Sequence, residues 1–244
     1  MRAKLAKEAV SALWGFLFPA GCLLCAAPPS AATNDYLCPG CAADLQNNSH
    51  ACSICALPMN KQVPAVLCAE CLKSPPVFDE CLSAFVYAQP LEWMIQQLKF
   101  NEKLSYVPLL SSLMLAYLQA RLPEGFSADA AIPMPLHPKR LKQRGFNQSL
   151  LLLKPVAAEM NIPIDVSSCQ RVRDTPHQTG KTARQRRQNI KGAFQFDNQK
   201  NYKHVIIFDD VITTGSSVSE LSKALKRSGV EKVDVWSLAR AGKY

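Results

Sequence analysis

His204-Val-Ile-Ile-Phe-Asp-Asp-Val-Ile-Thr-Thr-Gly-Ser-Ser-Val-Ser219 is the stretch that decides the fold. A run of apolar β-formers, Val205 to Phe208, delivers paired carboxylates at Asp209 and Asp210, and the small-residue turn Thr213-Thr214-Gly215-Ser216-Ser217 leads into a helical pattern. Strand, turn and helix in that order suit a sugar phosphate. Backbone N–H groups of the turn and of the helix N-terminus can hold a phosphate dianion, and the hydroxyls of Thr213, Thr214, Ser216 and Ser217 can add hydrogen bonds. Asp209 and Asp210 can accept bonds from a neighbouring diol. Gly215 lets the backbone approach the phosphate, where a Cβ would crowd it. A Walker-type loop is excluded because no Gly-Lys-Ser/Thr follows, and a dinucleotide fingerprint because G-x-G-x-x-G is absent.

Upstream, strand and helix signals alternate. Leu82–Ala88 alternates like an edge strand, Leu91–Phe100 and Leu104–Leu122 have helical apolar spacing, and Ala130–Leu136 reads as a buried strand leaving into a basic loop. Phe146–Met160 reads as a helix, Ile162–Ser167 as a short strand, Lys203–Phe208 as a buried strand, Ser216–Ser228 as a helix and Lys232–Ala239 as a last strand. This implies an α/β domain with a mainly parallel sheet flanked by helices, whose ligands sit outside the carboxyl ends of its strands. Trp93 and Trp236 suit its core, Cys81 and Cys169 read as small buried apolar residues, and His137 and His204 as polar residues at strand ends.

The chain has 244 residues, 48% hydrophobic and 19% charged, which excludes a disordered or low-complexity architecture. Its net charge of +9 favours anionic partners: nucleotides, pyrophosphate, nucleic acid or a lipid surface. Twelve of the 28 basic residues fall in two segments. Residues 139–154 hold Lys139, Arg140, Lys142, Arg144 and Lys154 with no acid; residues 171–191 hold Arg171, Arg173, Lys181, Arg184, Arg186, Arg187 and Lys191 against Asp174 alone. Each can serve as an anion site or as a solvated, phosphate-tracking surface.

Nine of the ten cysteines precede position 82. Cys22/Cys25, Cys38/Cys41, Cys52/Cys55 and Cys68/Cys71 form four C-x-x-C pairs, and the first two pairs recur 30 positions on as the second two, flanks included: Cys-Leu-Leu-Cys-Ala-Ala-Pro at 22–28 against Cys-Ser-Ile-Cys-Ala-Leu-Pro at 52–58. Two such knuckles close a tetrahedral Zn²⁺ site, so the duplication predicts two zinc ribbons. The shared period favours sequential pairing within each repeat; a cross-braced arrangement would join Cys22/Cys25 to Cys52/Cys55 instead.

The N-terminal run Ala9–Phe18 after Arg2, Lys4 and Lys7 is too short to span a bilayer and reads as an amphipathic helix, packed on the ribbons or touching a partner or membrane surface. The expected organisation is therefore an amphipathic helix over 1–20, a double zinc-ribbon domain over 21–75 and the α/β domain over 76–244, with no transmembrane segment.

The strand-to-helix stretch resembles the phosphoribosyl-pyrophosphate (PRPP) signature of type I phosphoribosyltransferases. The cysteine pairs, Leu98-Lys99-Phe100, Pro133–Gln148 and Arg171–Phe194 narrow the resemblance to the ComF family, also called GntX-like, across nearly the whole sequence. That resemblance implies a type I phosphoribosyltransferase-like fold, PRPP bound with Mg²⁺, a cytoplasmic place at or near the inner membrane, and a role in natural competence and use of imported DNA. It assigns PRPP binding to Asp209, Asp210, Thr213, Thr214, Gly215, Ser216 and Ser217, and pyrophosphate contact to Lys139, Arg140 and Arg144. It makes 171–191 a loop closing over substrate, with Arg173, His177, Arg184 and Arg187 as its contacts, and names Asp209, Asp210, Arg144 and Arg184 as catalytic. Two functions are compatible with it: a transferase whose acceptor the sequence does not name, and a catalytically inactive PRPP- or single-stranded-DNA-binding adaptor working with proteins of the DNA-uptake machinery.

Overall fold

The computed structural model describes residues 21–27, 36–60, 66–174 and 189–242. The helix expected over 1–20 and residues 175–188, with His177, Arg184 and Arg187, lie outside the described residues. The chain divides into two compact units, Met1–Gln46 and Asn47–Tyr244. Contacts therefore group the second cysteine repeat with the sheet, although the repeat in sequence groups it with the first.

The smaller unit holds α1 (Pro39–Ala43). The larger holds α2 (Ala69–Lys73), β1 (Glu80–Val86), α3 (Leu91–Asn101), α4 (Tyr106–Arg121), β2 (Ala130–Pro133), α5 (Pro138–Arg144), α6 (Gln148–Glu159), β3 (Cys169–Arg171), β4 (Phe194–Phe196), β5 (His204–Ile212), α7 (Ser216–Arg227) and β6 (Lys232–Arg240). Four strands form a wholly parallel sheet in the order β1-β6-β5-β2, with β1 at an edge as its alternation predicts. β3 and β4 pair antiparallel in a separate hairpin.

The central strands explain their own sequences. Val205 to Phe208 of β5 and Val233 and Val235 of β6 are fully buried, as a parallel sheet covered on both faces requires. Burying each such side chain contributes about 1.5–3 kcal/mol. On one face α7 turns Val218, Leu221, Ser222 and Leu225 inward at helical spacing, packed with Val205, Ile207, Val233 and Val235. On the other side of the architecture α4 buries Leu109, Leu110, Met114 and Leu118 and packs on α6 and β1, pinned by Ser111 Oγ donating to the Leu152 carbonyl at 2.9 Å.

Four details depart from the expectations. The basic segment after β2 is a helix, not a loop: His137 caps it through Nδ1, Pro138 stands at its first position, and Gly145 at φ 78 ends it. Ile162–Ser167 shrinks to one bridge, Ala131 to Ile164. Asp165 takes the N–H groups of Ser167 and Ser168 at 2.8 and 3.0 Å, a local turn that competes with a strand ladder. β5 continues through Asp209 and Asp210 to Ile212. Trp236 is buried, but Trp93 lies at the surface, edge-on to Tyr106. Cys81 and Cys169 are buried as expected.

Candidate functional site

β2 ends at Pro133 opposite Phe208, whereas β6 pairs with β5 as far as Ile212 opposite Arg240. β5 thus loses one neighbour just before its carboxylates, opening the crevice where parallel sheets bind ligands. The first turn of α6 fills that side. Gln148 Nε2 donates to Asp210 Oδ1 at 3.1 Å and Ser149 Oγ to Asp209 Oδ1 at 3.2 Å. Asn147 caps α6 and donates to the Met134 carbonyl at 3.1 Å, fixing the helix to the end of β2. Asp210 is 2% exposed and forms an ion pair with Lys99 of α3.

One half-buried cation, Lys99, faces two carboxylates, so the pair titrates unequally. Burial and the negative charge of Asp210 push the Asp209 carboxyl up to about 8. At Asp210 burial acts in the same direction, but the charge of Lys99 and hydrogen bonds from Lys99 and Gln148 outweigh it and hold the group below the usual carboxylate range. The sheet end therefore keeps one anion balanced and one acid protonated near neutral pH, ready to ionise beside an added cation.

The turn follows directly. Thr213 is exposed, while Thr214, Gly215, Ser216 and Ser217 are half-buried at the start of α7. Gly215 sits at φ 74, but the nearest atom to a Cβ built there is Ile212 Cγ2 at 4.0 Å. Within the protein the glycine is required by its left-handed backbone, not by crowding. Thr214 Oγ1 and Ser216 Oγ lie 2.8 Å apart, and Ser216 N–H donates to Thr214 Oγ1 at 3.3 Å. Behind the turn Arg240, 5% exposed, donates to the carbonyls of Ile212 (3.1 Å), Thr213 and Ala241 (3.2 Å), and through Nε to that of Cys55 (3.1 Å).

α5 carries Lys139, Arg140 and Arg144. Asp174, the one acid of the second basic segment, approaches His137 Nδ1 at 4.0 Å and Lys139 Nζ at 3.8 Å, which sets the beginning of that segment against α5. Arg173 donates to the Lys191 carbonyl across the segment's ends. Burial lowers the guanidinium pKa of Arg140, Arg144 and Arg171, and the charge of Arg140 lowers Arg144 and Arg171 further. Cations packed this closely fit a multiply charged anion. Arg144 also donates to Gln148 Oε1 at 2.6 Å and lies over the ring of Phe100 at 5.5 Å. A chain runs from Arg144 through Gln148 to Asp210, with Lys99 closing its other side.

Lys99, Gln148, Ser149 and Arg240 are parts of this arrangement to which the sequence assigns no role. Lys99 and Gln148 stand inside motifs that carry the family resemblance, which is the one signal pointing to them. An apolar cavity of about 640 Å³ opens beside α5, lined by Pro133, Leu136, Leu141, Phe146 and Arg171. A roomier one, about 700 Å³, lies between the β3–β4 hairpin and the end of α7, away from these groups.

The cysteines gather as Cys22, Cys25, Cys38, Cys41 and as Cys52, Cys55, Cys68, Cys71, the donor atoms of each set within 4.8 Å of one another. Pairing is sequential, so the cross-braced alternative is set aside. Cys25 and Cys38 sulfurs are 3.6 Å apart and Cys55 and Cys68 sulfurs 3.7 Å, close to the roughly 3.8 Å edge of a tetrahedron with Zn–S bonds of about 2.3 Å and far beyond a disulfide. Ala26 and Ala56, one residue past each first knuckle, share a positive φ (58 and 53), and Cys22 N–H to Ala27 O (2.8 Å) recurs as Cys52 N–H to Leu57 O (2.9 Å). Burial opposes ionisation of Cys22 and Cys52, but backbone N–H groups outweigh it and lower them to about 6 and about 7, while burial and neighbouring thiols push Cys41 and Cys71 up. Four sulfurs can all ionise only around a cation, and the donor set fits Zn²⁺.

Residues 13–72 match the double zinc ribbon domain family. The chain is 36% identical over 224 residues to the DNA utilization protein YhgH of Salmonella typhi, covering 91% of this chain and 97% of that protein, and 35% identical over 225 residues to the protein of the same name in Escherichia coli (strain K12), with the same coverage. It is 37% identical over 215 residues to competence protein F of Haemophilus influenzae, covering 84% of this chain and 90% of that protein. Cysteine tetrads, parallel sheet and near-full-length similarity agree: the chain belongs to the ComF (competence protein F, GntX-like) family, with an N-terminal double zinc ribbon ahead of an α/β domain.

Proposed function

We propose that the carboxyl end of β5 binds PRPP with Mg²⁺ and that the protein uses this ligand as a phosphoribosyl donor in the uptake or use of DNA. The observation that carries the reading is the run Asp209, Asp210 and the left-handed Gly215 turn at the start of α7, facing a crevice that β2 leaves open. The 5-phosphate would take the N–H groups of the turn and the hydroxyls of Thr213, Thr214, Ser216 and Ser217. Asp209 would accept from a ribose hydroxyl once ionised, and Asp210, held by Lys99 and Gln148, would orient that strand end. Lys139, Arg140 and Arg144 would hold the pyrophosphate, with Arg184 reaching it from the second basic segment. Mg²⁺ bound with PRPP would neutralise charge on the departing pyrophosphate; the chemistry of the site fits it, because Asp209 and Asp210 share the single charge of Lys99 and an added cation would favour the ionised form of Asp209. No protein nucleophile is needed for displacement at ribose C1; these residues hold charge and geometry.

The names of the relatives, DNA utilization protein and competence protein F, support the DNA-handling half of the reading. A second reading, a PRPP- or single-stranded-DNA-binding adaptor without turnover, is favoured by the engagement of both Asp210 oxygens within the protein. No helix among the described residues is long and apolar enough to cross a membrane; a cytoplasmic place, peripheral to the inner membrane, belongs to the same proposal. Calorimetric titration with PRPP and Mg²⁺ tests it, alongside Asp209→Asn/Asp210→Asn. Heat in the wild type that the double variant abolishes supports the site, and silence in both rejects it; release of pyrophosphate on adding single-stranded DNA separates the transferase from the adaptor.

A further inference from the structure

We infer that Arg240 makes the second cysteine tetrad part of the phosphate turn: one guanidinium holds the Cys55 carbonyl and the carbonyls of Ile212 and Thr213 in a single frame, so metal at Cys52, Cys55, Cys68 and Cys71 sets the shape, and hence the ligand affinity, of the turn. The inference rests on reading that turn as a phosphate site. Arg240 closes β6 and is almost fully buried, and its bonds described above all go to backbone carbonyls. Ile212 is its ladder neighbour on β5, but Cys55 is 185 positions away. A planar fork can serve carbonyls in divergent directions, whereas a lysine offers a single nitrogen.

The two features also face one cavity of about 500 Å³, with Cys55, Glu70 and Cys71 lining it together with Thr214, Gly215 and Ser216. Cys55 presents its sulfur to the tetrad and its carbonyl to Arg240, so one residue joins metal and turn. Releasing the metal frees the knuckle and slackens that anchor. Gly215, at a φ that other residues avoid, is then held by the Thr214–Ser216 contact and by Ser219 N–H donating to its carbonyl at 2.9 Å. The first tetrad lies in the other compact unit.

The test uses the full chain labelled with ¹⁵N-glycine, which has ten glycines; the Gly215 signal is assigned by its loss in Gly215→Ala. Zinc content, the Gly215 amide shift and PRPP–Mg²⁺ affinity are measured for Arg240→Lys, Cys68→Ser and Cys38→Ser. Arg240→Lys is expected to keep both metals, move the Gly215 signal and weaken PRPP about tenfold or more. Cys68→Ser should lose one metal and move the same signal; Cys38→Ser should lose one metal and move neither readout. An unmoved Gly215 signal in Arg240→Lys, or an equal shift in Cys38→Ser, overturns the inference. Because Arg240→Lys retains every thiol, the outcome stands even where Cys68→Ser fails to fold. If the wild type takes up no PRPP while Gly215 responds as stated, the coupling holds and the ligand reading fails.

Discussion

The two cysteine repeats have the same backbone and different surroundings. Both begin with a knuckle closed by a left-handed alanine, both continue into a five-residue helix, and both bring four thiols within 4.8 Å. In the first, Cys25 is exposed and the residues close a compact unit that ends at Gln46. In the second, Cys52, Cys68 and Cys71 are buried with Leu57, Ala56 joins the core of the sheet, and Asn48 Nδ2 donates to the Ala56 carbonyl at 2.8 Å. A duplicated motif thus conserves what metal geometry demands and leaves the rest free: one copy stands as a ribbon, the other is a wall of the α/β domain.

The sharpest way to break that comparison is to remove one ligand from each copy. Cys68→Ser should cost the larger unit several kcal/mol and lower its thermal midpoint by roughly 10 °C or more, with Cys38→Ser leaving that transition in place; calorimetry with zinc analysis reads both, and equal losses would erase the distinction. Next in size, Lys99→Met leaves Asp210 buried with no cation and should destabilise the same unit by about 3–5 kcal/mol in chemical denaturation, without affecting zinc at the first tetrad. Asn48→Ala removes the strut to Ala56 and should cost about 1–3 kcal/mol; a negligible change would mean that the second ribbon is held by its core contacts alone.

Asp209→Asn should act in the opposite direction, and only as the pH rises. Its folded pKa is raised, so the native state binds a proton that the unfolded state releases above about pH 4, and wild-type stability falls as pH rises toward about 8. The amide cannot ionise, so the variant should gain stability relative to wild type progressively between about pH 4 and 8, and nothing near pH 3. PRPP affinity of the wild type should rise over the same interval as Asp209 ionises. A flat difference between pH 4 and 8 would place the proton elsewhere.

Much of this was legible locally. Cysteine spacing specified two tetrads because a metal knuckle needs only four consecutive residues, and the β5 run specified a strand because its whole apolar stretch is buried. The helix at 138–144 was legible too, in its Pro138 and Gly145, but its run of basic residues carries no apolar period. The β3–β4 hairpin, with strands of three residues flanking a basic segment, offered no periodicity long enough to read.

By itself, the sequence determined the elements whose cause lies within a few residues: the duplicated cysteine ribbons, the alternating strands and helices, and the acid pair leading into a glycine turn. Tertiary structure alone decided which buried charges meet. Lys99 reaches Asp210 of β5 from a helix, Gln148 joins Arg144 to that carboxylate, and Arg240 ties the turn to Cys55 across 185 positions. Such partners are set by how sheet and helices pack, because a buried charge or carbonyl must find its complement wherever in the chain the fold happens to supply one.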